Sequence, residues 1–99
     1  MIDLGKITGF DWDKGNARKN QKHGVSTAEA EQVLFNIPLL LLDDLRRSQL
    51  ETRYHALGVT DGGRSLYITF TWRLSETLIR VISARGMNRK ERAIYEQST

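Results

Sequence analysis

The clearest pattern in the chain is an alternation of apolar and polar residues from Ser65 to Arg73, with apolar residues at every second position. Such alternation predicts a strand that buries one face. Apolar, β-branched or alternating residues predict four further strands, with less regular patterns. These are Ile7–Trp12, Leu39–Leu42, Glu51–Thr60 and Leu78–Arg85. The turn Asp61-Gly62-Gly63 predicts a hairpin between the third and fourth strands.

Three stretches are predicted to be helical. A polar helix runs from Lys14 to His23, and a second helix begins at the capping box formed by Ser26 and Glu29. A third extends from Asn88 to Gln97. The order is β-α-α-β-β-β-β-α, with two N-terminal helices and one C-terminal helix. Short turns between strands predict an α+β fold, an antiparallel β-sheet with the helices packed on one face.

Size and composition narrow the class of protein. Residues 1–99 fit a single domain, with 1–6 as a loose N-terminus. Without cysteine, disulfides and thiolate metal sites are excluded. No apolar run is long enough for a membrane span, and no secretion signal is visible, so we expect a cytoplasmic protein that makes no membrane contact.

The charge pattern favours an anionic partner. The formal net charge is +3, and ten of the fifteen basic residues are arginine, whose planar fork can grip a phosphate in two places. A solvated basic surface explains the same composition. The polar helix carries a basic stripe at Lys14, Arg18 and Lys22, which is equally typical of a solvated face.

Three groups of residues could carry chemistry. Glu51, Arg53 and His55 alternate onto one strand face and could supply a base, a phosphate clamp and an acid, or form a salt-bridge ladder. His23 could be an acid or base, or could stabilise the end of the polar helix. The arginines Arg64, Arg73, Arg80 and Arg85 form the third group.

Within that arginine group, Arg80 interrupts an apolar strand and should need a buried partner, such as Glu51 or an aspartate. Arg85 is the better phosphate contact. Trp12, Trp72 and Tyr67 could stack on bases, although each fits the core pattern. No metal site and no cofactor are expected, because two distant histidines give no ligand spacing.

In order and spacing, residues along nearly the whole chain resemble the BrnT family of toxins. The matching residues are Trp12, Asp13, Gly15, Asn16, Lys22 to Ser26, Asp44, Ser48, Glu51, Arg53, Gly58, Gly63, Arg64, Phe70, Thr71, Arg73, Ile79, Arg80, Ile82 to Arg85, Met87, Glu91 and Tyr95. Many members carry a histidine just before the serine at position 48. Here that position is Arg47, so the role of that histidine is lost or is taken over by His55.

The resemblance implies a RelE-like fold and a ribonuclease toxin of a type II toxin–antitoxin pair, which inhibits translation. It implies a hetero-oligomer with a BrnA-type antitoxin, which alone contacts operator DNA. The implied catalytic residues are His23, Glu51, Arg53, Arg85 and Tyr95. With the charge pattern added, RNA binding is predicted at Lys14, Arg18, Lys22, His55, Arg64 and Arg73, and Trp12 and Arg80 are predicted to be structural residues.

In the mechanism that this implies, the RNA 2′-hydroxyl attacks the neighbouring phosphate without a metal. Glu51 or His23 is the base, Arg53 and Arg85 clamp the transition state, and His23 or Tyr95 is the acid. Two other functions stay open: a non-catalytic RNA-binding module that needs the arginines but no acid–base pair, and a protein-assembly module.

Overall fold

A computed structural model describes residues 7–12, 23–44, 53–73 and 77–99, and for Asp43, Asp44 and Arg73 it describes the backbone alone. These residues form five strands and two helices. The strands are β1 (Gly9–Phe10), β2 (Leu40–Asp44), β3 (Arg53–Val59), β4 (Ser65–Arg73) and β5 (Leu78–Gly86). The helices are α1 (Thr27–Phe35) and α2 (Arg89–Ser98). The α+β prediction is confirmed.

The sheet has the strand order β1-β5-β4-β3-β2, and its last four strands form the predicted antiparallel meander. The first strand differs from the prediction, because β1 pairs in parallel with β5, with Gly9 opposite Leu78. It is also shorter than the predicted Ile7–Trp12. Parallel pairing between segments that are far apart in the sequence uses no local turn, and therefore leaves no turn signal in the sequence.

The helix count of the described residues is two, whereas three helices were predicted. The predicted polar helix from Lys14 to His23 falls outside the described residues except for His23 itself. His23 lies in a turn with Gly24, whose φ is +72°. The other two predicted helices are present.

Both helices begin at a capping box. Ser26 Oγ accepts from the Glu29 backbone N–H, and the Glu29 side chain accepts from the Ser26 N–H, as predicted. Asn88 and Glu91 exchange the same two hydrogen bonds at the start of α2. Each box satisfies backbone donors that a helix N-terminus leaves without partners.

One face of the sheet packs against α1 and forms the main core. From β4 this face contributes Leu66, Ile68 and Phe70, all fully buried, as their alternation predicted. From α1 it contributes Ala30, Val33 and Leu34. Gly58 of β3 lets the helix approach, because a Cβ there would lie 3.0 Å from Val33 Cγ1 and 3.3 Å from the Val33 carbonyl oxygen.

The other end of the chain packs on the opposite face. Tyr95 of α2 and Met87 form a small buried cluster with Leu57, and Tyr67 packs against it. The prediction that the helices share one face is therefore wrong. Tyr67 does pack against a core cluster, but it is this second one, because alternation along β4 turns Tyr67 away from Leu66 and Ile68.

Candidate active site

The sheet face opposite α1 carries a set of basic, hydroxyl and imidazole side chains, which we call the polar face. Its members follow from the register, which aligns His55 with Thr69 and Ser83, Tyr67 with Arg85, and Thr71 with Arg80. The polar face comprises Arg53, His55, Tyr67, Thr69, Thr71, Arg80, Ser83 and Arg85.

A β-bulge in β5 brings two arginines to this face. Arg80 and Arg85 are five positions apart, so a regular strand would place them on opposite faces. Ser83 lies opposite Thr69, but the next pair joins Val81 to Phe70, and the alternation of β5 shifts by one residue. The extra residue therefore lets β5 present both arginines on the polar face.

His55 lies in the middle of the polar face and is held at two points. Its Nδ1 is 2.9 Å from Thr69 Oγ1, within hydrogen-bond distance. Its ring stacks on Tyr67 with the ring centroids 5.1 Å apart and the planes 30° apart. Thr69 is only 8% exposed, so the hydroxyl that meets His55 is itself held in place.

Arg85 continues this arrangement toward α2. Its Cζ lies 4.4 Å from the centroid of the Tyr67 ring, so Tyr67 contacts both His55 and Arg85. Its two terminal nitrogens each donate to one carboxylate oxygen of Glu91 at 2.8 Å. The four side chains His55, Tyr67, Arg85 and Glu91 form a continuous series of contacts, which we call the stacked series.

The Arg85–Glu91 pair changes the titration of both groups. Hydrogen bonds from Arg85 lower the pKa of the Glu91 carboxyl, and burial opposes this by raising it. The Asn88 backbone N–H and the charges of Arg85 and His55 lower this pKa further. Hydrogen bonding to Glu91 raises the pKa of Arg85, so both partners stay charged near neutral pH.

Two further arginines complete the polar face. Arg53 is half-buried and lies two residues before His55 on β3, so their Cα atoms are about 7 Å apart. Arg80 Nη1 lies 3.8 Å from Asp11 Oδ2, and both side chains are partly exposed. The expected partner of Arg80 was a buried one, Glu51 or an aspartate; Asp11 is an aspartate, but it is not buried.

Three other predicted site residues lie away from the polar face. His23 is exposed and precedes Val25, which is buried in the core on the α1 side. Arg64 Nη1 donates to the Gly24 carbonyl at 2.6 Å and to Glu29. Trp12 Nε1 donates to Glu31 Oε2 at 2.8 Å.

Tyr95 lies beside the polar face, and its contacts are those of a structural residue. It is 8% exposed, and its hydroxyl donates to the Pro38 carbonyl at 2.6 Å. Burial raises the pKa of its phenol. These contacts tie α2 to the segment that precedes β2.

The structure does not describe the side chains of the remaining predicted residues. Glu51 and the stripe Lys14, Arg18 and Lys22 lie outside the described residues, and only the backbone of Arg73 is described. Within the described ranges, no group of three or more metal-ligating residue types could hold a metal ion. No helix in that part of the chain is long and apolar enough to cross a membrane.

Sequence reasoning missed Thr69, Tyr67 and Glu91 as neighbours of the candidate residues. The signal for the first two was present, since strict alternation along β4 places Tyr67 and Thr69 on the face opposite Ile68. From the sequence, Glu91 stood out only as one of the residues that resemble the BrnT family. Its contact with Arg85 depends on how α2 folds back on the sheet.

The polar face can do two kinds of chemistry. An imidazole can donate or accept a proton near neutral pH, and guanidinium groups can stabilise negative charge on a phosphate. A hydroxyl and an aromatic ring hold that imidazole in place. The arrangement fits a reaction that moves protons beside an anionic group.

Comparison with known proteins gives one family. The model described as "Ribonuclease toxin, BrnT, of type II toxin-antitoxin system" matches residues 12–91. No curated protein is significantly similar to the chain. The matched range includes every strand of the meander, all of the polar face, and Glu91.

Proposed function

The chain belongs to the BrnT family of ribonuclease toxins of type II toxin–antitoxin systems, and from this premise we propose that its polar face is where RNA is bound and cut. Membership implies an antitoxin as the partner. The observation that carries the proposal is the placement of His55 beside Thr69, Tyr67 and Arg53 on the polar face.

The proposed reaction is cleavage by the RNA itself, without a metal. A base removes the proton of the 2′-hydroxyl, and O2′ then attacks the adjacent phosphorus. The bond from phosphorus to O5′ breaks as an acid protonates O5′, leaving a 2′,3′-cyclic phosphate and a 5′-hydroxyl. The protein must supply one base, one acid and positive charge for the phosphorane-like transition state.

We assign His55 as one of the two proton-transfer groups. Its imidazole lies on the polar face. Arg53 is two residues earlier on the same strand and on the same face, where it can bind the phosphate. Glu51, two residues before Arg53, keeps its proposed role as the second group. His23 is the weaker candidate, because it is exposed and adjoins Gly24, whose carbonyl accepts from Arg64 away from the polar face.

The arginines divide into two roles. Glu91 already neutralises Arg85, so we propose that Arg85 orients Tyr67 more than it clamps the phosphate. We propose that Arg53 and Arg80 contribute more positive charge to RNA binding, since the 3.8 Å contact of Arg80 with Asp11 is looser than the 2.8 Å bonds between Arg85 and Glu91. Tyr95 has its hydroxyl bound to Pro38, which supports a role as a helix anchor rather than as the acid.

The finer biology rests on the family resemblance. We propose that the antitoxin is of the BrnA type, that it alone contacts operator DNA, and that toxin and antitoxin form a hetero-oligomer. RNA cleavage in the cytoplasm would then inhibit translation. A RelE-like fold stays part of this proposal.

The test is cleavage of a defined RNA by the purified chain in EDTA. The variants are His55→Ala, Arg53→Ala, Glu51→Ala and His23→Ala. Arg89→Ala is the matched control, since it removes the same charge from an exposed position on α2. We expect the parent and Arg89→Ala to leave 2′,3′-cyclic ends, and His55→Ala to lose on the order of 100-fold in rate.

The same variants, measured also for binding to RNA and to the antitoxin, separate the competing functions. Intact RNA that still binds the parent, with binding weakened in Arg53→Ala, would indicate a non-catalytic RNA-binding module. Strong antitoxin binding without RNA affinity would indicate an assembly module. Full activity of a folded His55→Ala variant would remove His55 from the mechanism. Circular dichroism of each variant shows whether it is folded.

A further inference from the structure

We propose that Thr69 is a positioning residue that holds the His55 imidazole through Nδ1 and thereby sets its tautomer and the nitrogen at which it exchanges a proton with RNA. This inference deepens the proposed function and rests on it for its catalytic meaning. The contact behind it is the 2.9 Å distance from His55 Nδ1 to Thr69 Oγ1 across the β3–β4 pair.

The contacts of His55 with Thr69 and with Tyr67 fix different features of the ring. A histidine ring has a broad, roughly two-fold preference about its outer torsion, so a strand alone leaves the choice of nitrogen open. Stacking on Tyr67 restricts the plane of the ring but does not distinguish its two nitrogens. The Thr69 hydroxyl makes that distinction, because it meets Nδ1 only.

A hydroxyl is a different partner from the carboxylate that often orients a catalytic histidine. A carboxylate can only accept, so it favours an Nδ1–H and stabilises the charged ring. A threonine hydroxyl can donate to a bare Nδ1 and can accept from a protonated one. When Nδ1 carries a proton, the hydroxyl accepts from it in both the neutral and the charged ring, so the contact is kept while a proton is exchanged at Nε2. When Nδ1 is bare, the hydroxyl donates to it and the neutral ring carries its proton on Nε2.

Thr69 itself is well placed for this role. Its side chain is 8% exposed, and a β-branched residue has few rotamers, so its hydroxyl has little freedom to leave the ring. It also lies at the register shift where β4 and β5 change alternation, opposite Ser83 as well as His55. The β-bulge therefore begins next to the residue that orients His55.

The test compares Thr69→Val with Thr69→Ser. Valine keeps the branched shape and removes the hydroxyl, whereas serine keeps the hydroxyl. Nitrogen-15 NMR of the His55 side chain reports the tautomer ratio. We expect the parent and Thr69→Ser to share one ratio and Thr69→Val to differ. In cleavage assays we expect Thr69→Val to lose about tenfold or more in kcat with little change in KM, and serine to restore most of it.

Unchanged values of both the tautomer ratio and kcat in a folded Thr69→Val variant would overturn the proposal. If valine fails to fold, Thr69→Ala provides the same comparison against serine. The NMR readout needs no RNA cleavage. A shifted tautomer in Thr69→Val together with a fully active His55→Ala variant would support the positioning contact and reject the catalytic role of His55.

Discussion

Helices α1 and α2 each begin with a capping box whose glutamate also binds an arginine of the sheet. In α1, Glu29 meets Arg64 at the start of the β4 hairpin arm at 3.1 Å. In α2, Glu91 meets Arg85 of β5 through two bonds of 2.8 Å. The same pair of functions, capping the helix and tying it to the sheet, therefore occurs once on each face.

The two helices differ in what else holds them. Helix α1 fully buries Ala30, Val33 and Leu34 in the main core, whereas Tyr95 is the only residue that α2 buries. Apolar burial therefore holds α1, and its arginine contact adds little. Helix α2 buries little apolar surface, so the contact between Glu91 and Arg85 contributes a larger share of its attachment to the sheet. Arg85 is also a member of the polar face.

The largest effect is expected from the apolar side of this comparison. Leu34→Ala should lower the free energy of unfolding by roughly 2–5 kcal/mol, because Leu34 is fully buried and leaves a cavity. Urea denaturation followed by circular dichroism measures this loss. Ile94→Ala on α2, at an exposed position, is the control and should change stability little. Equal losses in the two variants would contradict the difference between the helices.

An intermediate effect is expected from the anchor of α2. Tyr95→Phe removes the hydrogen bond to the Pro38 carbonyl and should cost about 1 kcal/mol. If Tyr95 serves as an anchor rather than as the acid, RNA cleavage by this variant should stay close to the parent rate. A loss of 100-fold in kcat with unchanged stability would return Tyr95 to the catalytic set.

A smaller effect distinguishes the two glutamates. Gln at the third helical position can still cap the helix, so Glu91→Gln and Glu29→Gln test the ionic contacts alone. We expect roughly 1 kcal/mol for Glu91→Gln and about 0.5 kcal/mol for Glu29→Gln, since both arginines are partly exposed and solvent weakens the pairs. Thermal and urea denaturation measure both. A larger loss in Glu29→Gln would reverse the comparison.

The smallest effect is a dependence on pH. The pKa of Glu91 is lowered in the folded protein, so the stability it contributes is present above its ordinary value of 4.5 and is lost as the pH falls through the lowered pKa. Between pH 6 and 3, the urea midpoint of Glu91→Gln should therefore fall less steeply than that of the parent. Parallel curves for the two proteins would show that Glu91 contributes nothing to acid sensitivity.

Much of the fold could be predicted because its signals are local. The bounds of β4 agree with the alternation from Ser65 to Arg73, and the Ser26 and Asn88 caps lie where the sequence placed them. The hairpin at Asp61-Gly62-Gly63 is also present, with Gly63 at a φ of +85°. Each of these features depends on residues within a few positions of each other.

The features that could not be predicted depend on distant residues or on an interrupted pattern. Nothing near Gly9 indicates that it pairs in parallel with β5. The β-bulge in β5 breaks the two-residue period of that strand, so alternation alone does not predict that Arg80 and Arg85 share a face. For the candidate site, shared placement of Arg53 and His55 followed from alternation, whereas the Arg85–Glu91 contact needed the path of α2.

The pairing of β1 with β5 also bears on the order in which the sheet can form. Gly9 and Phe10 pair with Leu78 and Ile79, which lie 69 positions further along the sequence. Closing a contact over that separation costs loop entropy and is slow compared with forming the hairpins. The contact from Asp11 to Arg80 forms on the same closure. We therefore expect β1, and with it this neighbour of the polar face, to join the sheet after the meander has formed.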